Sequence, residues 1–328
     1  MRYSLLLLLF TLSCLVVYSQ DLNQISKTDK LFSLTNYLKE VEYNFVYFNK
    51  VNKDEWVKNS KNLLSEVEGL NDYQYYRRLQ RLSALLNDGH TQIYFPEYLE
   101  NLLIHGEFGD FKILTTLVED KVVISKISPD KKEMLPIGTE ILTVNGKPIK
   151  QYITDELEPY ISASAPHVRK FKAAQRVFSS TDGTPYQVEF KTPSGKIAVL
   201  DLKLSRTQNN HLYPVLPQEK SFTSKWLEHK IYYVKLNSFE NASLYQDFLK
   251  VLPEMKNAKG IILDIRNNGG GSSAVARNIA QHLIKDSLIY GAKNQSRLII
   301  PTDRALGSFL SAQDTLEGKK EWGLSKEQ

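Results

Sequence analysis

A glycine run behind an apolar stretch is the first place where this chain could do chemistry: Gly260-Ile-Ile-Leu-Asp-Ile-Arg-Asn-Asn-Gly-Gly-Gly-Ser-Ser273. Residues 260–265 read as a buried strand of the parallel type, near-continuously apolar with one acid. Behind the glycines, Val275, Ile279 and Leu283 repeat at helical spacing, so residues 272–284 read as a helix. A turn joining a strand to a helix N-terminus lets successive backbone N–H groups converge, and the helix dipole adds positive potential there. Such a turn suits a phosphate or the oxyanion of a tetrahedral intermediate. A plain backbone bend would use the same glycines. The nucleotide loop is excluded because no Lys follows them, and the dinucleotide pattern is met only in its relaxed form, with Ala274 in the last glycine place.

The second place is Asn87-Asp-Gly-His-Thr91. It follows a helical stripe, and Gly89 is expected to take the left-handed conformation that ends the helix and projects His90 from a fixed point. An imidazole titrates near neutrality, so a rigidly held one can serve as a general base. A lone His is equally at home as a structural or surface residue. The other histidines (His105, His167, His211, His229 and His282) show no metal-ligand spacing, and no metal or cofactor is expected.

The elements that must position these residues fall into three regions. From Lys30 to Leu86 the apolar period is helical: Leu31, Leu34, Leu38 and Val41, then Trp56 and Leu63, then Tyr75, Leu79, Leu82 and Leu86, with Asp72 as the expected N-cap of the last helix. From Gly106 onward short β-branched runs take over, at residues 111–118, 122–127, 141–144, 186–190 and 197–204. Asn145-Gly146 reads as a tight hairpin turn, since both residues tolerate positive φ. Residues 154–162 read as helical. After a polar linker at 207–214, a strand at 231–236, a helix at 244–255, the strand at 260–265 and the helix at 272–284 give an α/β layer pattern.

The β region, through Gly138-Thr-Glu-Ile-Leu-Thr-Val-Asn-Gly146, resembles the PDZ domain found inside exported processing proteases. With Leu86-Asn-Asp-Gly-His-Thr91 before it and the glycine turn after it, the whole resembles the tail-specific (C-terminal processing) serine peptidases, the tricorn-core branch most closely. The resemblance implies an α+β multidomain fold. Its parts would be a signal peptide at 1–20, an N-terminal helical domain at 21–98, a PDZ-like domain at 99–206 and a crotonase- or ClpP-like α/β peptidase core at 215–328. It implies hydrolysis of polypeptide substrates through an acyl-serine, with His90 in the place of the catalytic His and Gly269, Gly270 and Gly271 supplying the oxyanion hole. The chain departs from the family at the nucleophile, which there sits in a small-residue turn several tens of residues after the glycines. Ser308 and Ser311 flank Phe309-Leu310, Ser325 lies in a charged tail, and Ser272 and Ser273 read as caps of the following helix. The expectation is therefore a serine peptidase core that is incomplete and by itself inactive. The rival is an exported, non-catalytic PDZ-type protein that holds peptides by strand addition.

Composition excludes other classes. With 42 Lys plus Arg against 37 Asp plus Glu, the net charge is only +5, and no basic run is long enough to make a nucleic-acid surface. At 328 residues, 42% hydrophobic and 24% charged, the chain is globular and too long for one ordinary domain. Its single Cys, Cys14, leaves no intrachain disulfide and no thiolate metal site. Arg2 precedes an apolar run from Leu5 to Val17, shorter than the ~18 apolar residues of a membrane span, and Ser19-Gln20 follows. That pattern predicts export to the periplasm or the extracellular space, with membrane contact only through this segment. An uncleaved anchor and a lipidated Cys14 are the alternatives. N-terminal sequencing of the secreted protein should therefore find Gln20 or Asp21 first. A mature chain starting at Met1 or at a lipid-modified Cys14 overturns cleavage.

Overall fold

The computed structural model describes residues 22–216, 220–241 and 243–285, and the chain divides into two compact units between Leu216 and Pro217. The export segment with Cys14, and the serines Ser308, Ser311 and Ser325, lie outside the described residues. The architecture is α+β, with helices and antiparallel sheet in the first unit and a mixed α/β layer in the second.

The first unit opens with three helices: α1 (Lys27–Asn44), α2 (Lys53–Glu66) and α3 (Asp72–Ala84). Each begins on a side-chain cap, Ser26 for α1 and Asn52 for α2. Helix α3 begins on Asn71, whose side chain accepts from the Gln74 amide at 2.9 Å while the Gln74 side chain receives the Asn71 amide at 3.1 Å. The expected cap, Asp72, is instead the first helical residue, and it is buried. Leu34, Val41, Trp56, Leu63, Tyr75, Leu79, Leu82 and Leu86 form the helical core as their spacing predicts. Leu31 does not join them: Lys30 takes the inward place on α1, and a step of one residue turns Leu31 to solvent.

Lys30 is inside because Asp72 is. Its ammonium lies 2.7 Å from Asp72 Oδ1 and donates to the Leu70 carbonyl at 2.8 Å. Asp72 Oδ2 accepts from the amides of Gln24 (2.7 Å) and Ile25 (3.1 Å) and from the Tyr98 hydroxyl (2.6 Å). Burial opposes the charged carboxylate, but the bonds from Lys30, Tyr98 and the Ile25 amide outweigh it and hold Asp72 below its ordinary pKa.

After a short α4 (Glu97–Glu100) the chain enters the sheets. In order these are β1 (Leu103–His105), β2 (Ile113–Val118), β3 (Lys121–Ile127), β4 (Glu140–Val144), β5 (Lys147–Pro148), β6 (Ser179–Thr181), β7 (Pro185–Lys191) and β8 (Ile197–Lys203). Strands β2-β3-β4-β7-β8 form one antiparallel sheet in that order, with β5 hairpinned onto β4, while β1 pairs with β6. The β4–β5 turn has Asn145 and Gly146 both at positive φ, 51° and 75°. Alternate residues Tyr186, Val188 and Phe190 of β7 point into the core with Ile113, Ile124 and Ile141. The helical stretch expected at 154–162 runs instead from α5 (Ile149–Tyr152) through one π-helical turn to Tyr160. Helix α6 (Pro166–Ala174), which periodicity does not predict, starts with Pro166 in the first turn, where its missing N–H costs nothing.

The second unit contains β9 (Phe222–Leu227), β10 (Ile231–Leu236), α7 (Ser243–Lys256), β11 (Gly260–Asp264) and α8 (Ser273–Ala280). Strand β10 pairs antiparallel with β9 and parallel with β11. The parallel pairing is the expected one, but burial on both faces is not found: Ile261 and Ile262 are each 44% exposed. Among the described residues β11 is an edge strand with β10 as its one partner, so its apolar run faces solvent.

The buried ion pair gives the first structural test. Asp72→Asn leaves the Lys30 ammonium buried without its counter-charge and should cost about 3–5 kcal/mol, read by urea unfolding at neutral pH. A carboxyl whose folded pKa is depressed stabilises fully above its unfolded value of about 4, and that contribution fades as pH falls through the folded value. The gap between wild type and Asp72→Asn should therefore narrow on acidification below about pH 4.

Candidate active site

The glycine turn hangs from the end of β11. Asp264 is buried and takes a two-pronged grip from Arg266, with Nε at 3.0 Å from Oδ1 and a terminal nitrogen at 2.8 Å from Oδ2. The Arg266 amide and the Tyr233 hydroxyl complete its bonds, at 3.1 and 2.6 Å. The Arg266 bonds, then the Tyr233 bond, drive the Asp264 pKa far below the usual carboxylate range, so it is ionised at any working pH. Arg266 itself is 85% exposed, reaching back over the strand end.

Beyond Arg266 the turn is sewn to the end of β10. Asn268 donates through its side chain to the Leu236 carbonyl (3.1 Å) and accepts from the Gly270 amide (2.8 Å). Phe239 donates to the Gly270 carbonyl at 2.7 Å, and its own carbonyl accepts from Ser272 at 3.0 Å. Gly270 and Gly271 have φ of 112° and 126°. A Cβ on Gly271 would sit 2.4 Å from the Glu240 nitrogen and from the Phe239 carbonyl carbon. Gly271 is therefore obligatory on two counts, conformation and space. Gly269 meets neither condition.

The three amides are not equivalent. The Gly270 N–H is consumed by Asn268, so it leaves the predicted oxyanion set in this conformation. Among the described residues the Gly269 and Gly271 amides meet no acceptor, and they sit just before α8, at the positive end of its dipole. Ser272 occupies the N-cap position, but its hydroxyl makes no capping bond. The expected capping role is thus positional only.

The second predicted site residue, His90, lies in the first unit. Helix α3 ends at Ala84, and the left-handed residue that turns the chain is Asn87 (φ 51°), not Gly89. An Asn side chain tolerates that region, so the expected glycine role falls to its neighbour. The loop is held from several sides. Arg169 of α6 donates to the Asn87 side chain (2.8 Å) and the Ala84 carbonyl (3.2 Å). Ser164 Oγ accepts the Gly89 amide at 2.9 Å, and Ser83 Oγ donates to the Thr91 carbonyl at 2.8 Å. The imidazole of His90 is 100% exposed on this anchored loop, with Nδ1 4.0 Å from Asp88 Oδ1. The other Asp88 oxygen accepts from the Thr91 amide at 2.9 Å and from its hydroxyl. Partial burial works against the Asp88 charge, yet the bonds from Thr91 and the His90 amide prevail and lower its pKa. Asp88 therefore places a negative charge 4.0 Å from the imidazole, outside hydrogen-bond reach.

Residue type and spacing do not single out Asp88, Ser164 and Arg169, which the structure adds to the site. Asp88 is visible in the sequence two residues before His90. Ser164 and Arg169 carry no sequence signal, because only the fold brings them to the loop. Among the described residues no group of three His, Asp, Glu or Cys side chains is placed to hold a metal ion.

Residues 230–298, the stretch that contains the glycine turn, match the family model of peptidase family S41. That segment of the second unit is similar to the S41 peptidases. The chain's fold agrees with solved structures: mature CPAF complexed with lactacystin has a TM-score of 0.56 at 14% identity, over 77% of this chain and 59% of that one. A point mutant of CPAF gives 0.52 at 12% identity, over 76% and 57%. The chain thus spans less than three fifths of the length of those structures. No curated protein matches it.

The glycine turn yields a paired prediction. Gly271→Ala should destabilise the second unit by at least about 2–3 kcal/mol from positive φ alone, with the clash at Phe239 added. Gly269→Ala, open and unstrained, should stay within about 0.5–1 kcal/mol of wild type. Thermal unfolding of the two variants checks the contrast.

Proposed function

We propose that this chain carries the working parts of an exported serine-type peptidase that cleaves polypeptides through an acyl-serine intermediate. The observation that carries the reading is the pair of unengaged amides, Gly269 and Gly271, at the start of α8 within the S41-matching segment. An oxyanion needs donors in place before charge develops, and a glycine turn sewn to β10 supplies them without reorganisation. His90, near Asp88 on an anchored loop, is assigned as general base. His90 belongs to the first unit and the glycine turn to the second.

The sheet of the first unit is assigned as a PDZ-like peptide holder. Its edge strand β2 lies next to α6, tied by the Thr115 hydroxyl to the Ala174 carbonyl at 2.6 Å, so a peptide can add as a further strand. The nucleophile is assigned outside the described residues. Ser308, Ser311 and Ser325 are not flanked by runs of small residues, so peptide binding without turnover is proposed for the described units.

A serine-directed fluorescent probe tests this together with casein hydrolysis. The 328-residue chain should remain unlabelled, and labelling that disappears in Ser272→Ala would place the nucleophile at Ser272 instead. In any form of the protein that hydrolyses casein, His90→Ala should lower turnover by at least ~10²-fold while leaving peptide binding intact. Near-wild-type turnover in His90→Ala would remove the imidazole from the mechanism.

A further inference from the structure

Apart from the peptidase parts, the first unit contains a cleft of about 300 Å³ between α3, the 92–95 segment and the 160–179 region. Its lining is unevenly charged. Arg77, Lys172 and Arg176 contribute three cations, Glu100 is the one carboxylate, and His105 is the remaining titratable group besides the tyrosines. None of the three cations makes an ion pair among the described residues. Arg77 lies 3.7 Å over the Tyr160 ring and donates to the Gln80 side chain at 3.1 Å. Lys172 reaches only a carbonyl, that of Ser162, at 3.4 Å. Arg176 is exposed and makes no side-chain bond among the described residues.

Two guanidinium groups and an ammonium gathered without counter-charge repel one another. Burial lowers the Arg77 pKa; Tyr73 and Tyr160 act against that shift, and the like charge of Arg176 adds to it. His105 is also pushed down, chiefly by burial, and its Nδ1 is engaged with Ser179 Oγ at 3.0 Å, so it adds no positive charge near neutral pH. Glu100 is exposed and pairs with none of the cations. The lining is also rich in aromatic rings: Tyr73 and Phe95 stack on each other at 5.3 Å, 7° from parallel. Tyr160 adds a further ring beneath Arg77.

The geometry points to a binding site for an organic anion: a phosphate or carboxylate held by Arg77, Arg176 and Lys172, joined to a flat apolar group packed against the aromatic rings. Guanidinium groups match both oxyanions in a planar, two-pronged way, and aromatic faces offer area at small entropic cost. The site takes no part in the proposed hydrolysis and stands or falls separately from it.

Calorimetric titration of the 328-residue protein with phenyl phosphate, benzoate and inorganic phosphate tests the site, the first two separating phosphate from carboxylate. At least one aromatic anion should saturate at micromolar to millimolar concentration and bind more tightly than inorganic phosphate, with affinity falling as salt rises. Arg176→Gln, an exposed change that leaves folding untouched, should weaken that binding about tenfold. Arg77→Gln should weaken it further, but it also removes packing on Tyr160, so the decisive variants are Arg176→Gln and Lys172→Gln. No saturable binding by either aromatic anion overturns the site. So does unchanged affinity in the Arg176→Gln, Lys172→Gln double variant. Equal binding of inorganic phosphate overturns the aromatic rings as part of it.

Discussion

Asp72 is a carboxylate with no access to water, and the first unit is arranged around neutralising it. A buried charge is tolerated only when it is paired and its lone pairs are filled. Here the filling comes from four places in the sequence: Lys30 on α1, the extended amides of Gln24 and Ile25, and the Tyr98 hydroxyl on α4. One residue thus ties α1, α3, α4 and the leading segment together. The pair contributes less as net stability than as geometry, because it fixes where α3 starts. From that start α3 carries Tyr73, Arg77 and Gln80 to the cationic cleft and ends at the loop that displays His90.

In the second unit the exposed glycine turn leaves two backbone N–H groups without an acceptor among the described residues. The glycine turn keeps the Gly269 and Gly271 amides open by spending its other bonds on rigidity. Asn268 ties the turn to Leu236, Phe239 bonds on both sides of Gly271, and Asp264 with Arg266 fixes the strand end. Gly270 and Gly271 adopt the positive φ that the turn needs without strain, which a residue with a Cβ would not. That combination of rigid surroundings and unused donors is what oxyanion stabilisation requires.

The His90 loop shows how a surface residue is made precise without being buried. Its imidazole is open to solvent, but the backbone on both sides is bonded to Ser83, Ser164 and Arg169. Asp88 stands near the ring, while side chains distant in sequence anchor the backbone that carries it. The loop's neighbours are thus divided between residues near in sequence and residues near only in space.

That division marks what could be read from the sequence. Periodicity determined the three opening helices of the first unit, the strands of the larger sheet, the Asn145-Gly146 turn, and the strand–turn–helix that carries the glycines, because all of these depend on neighbours within a few residues. The candidate positions His90 and Gly269 to Gly271 were legible for the same reason, since residue type and local spacing single them out. What the sequence left open was set by contacts between distant segments. Leu31 turned outward because Lys30 had to meet Asp72; Asp72 was a first-turn ion and not a cap; Asn87 took the left-handed place offered to Gly89. Gly270 dropped out of the donor set because Asn268 folded back onto it. The cationic cleft was invisible in the chain, because Arg77 is nearly a hundred positions from Lys172 and Arg176 and only the packing of α3 against the 160–179 region gathers them. Local propensity acts over a turn or two, whereas charge compensation and shared hydrogen bonds act wherever the fold closes the distance, and that is decided only in three dimensions.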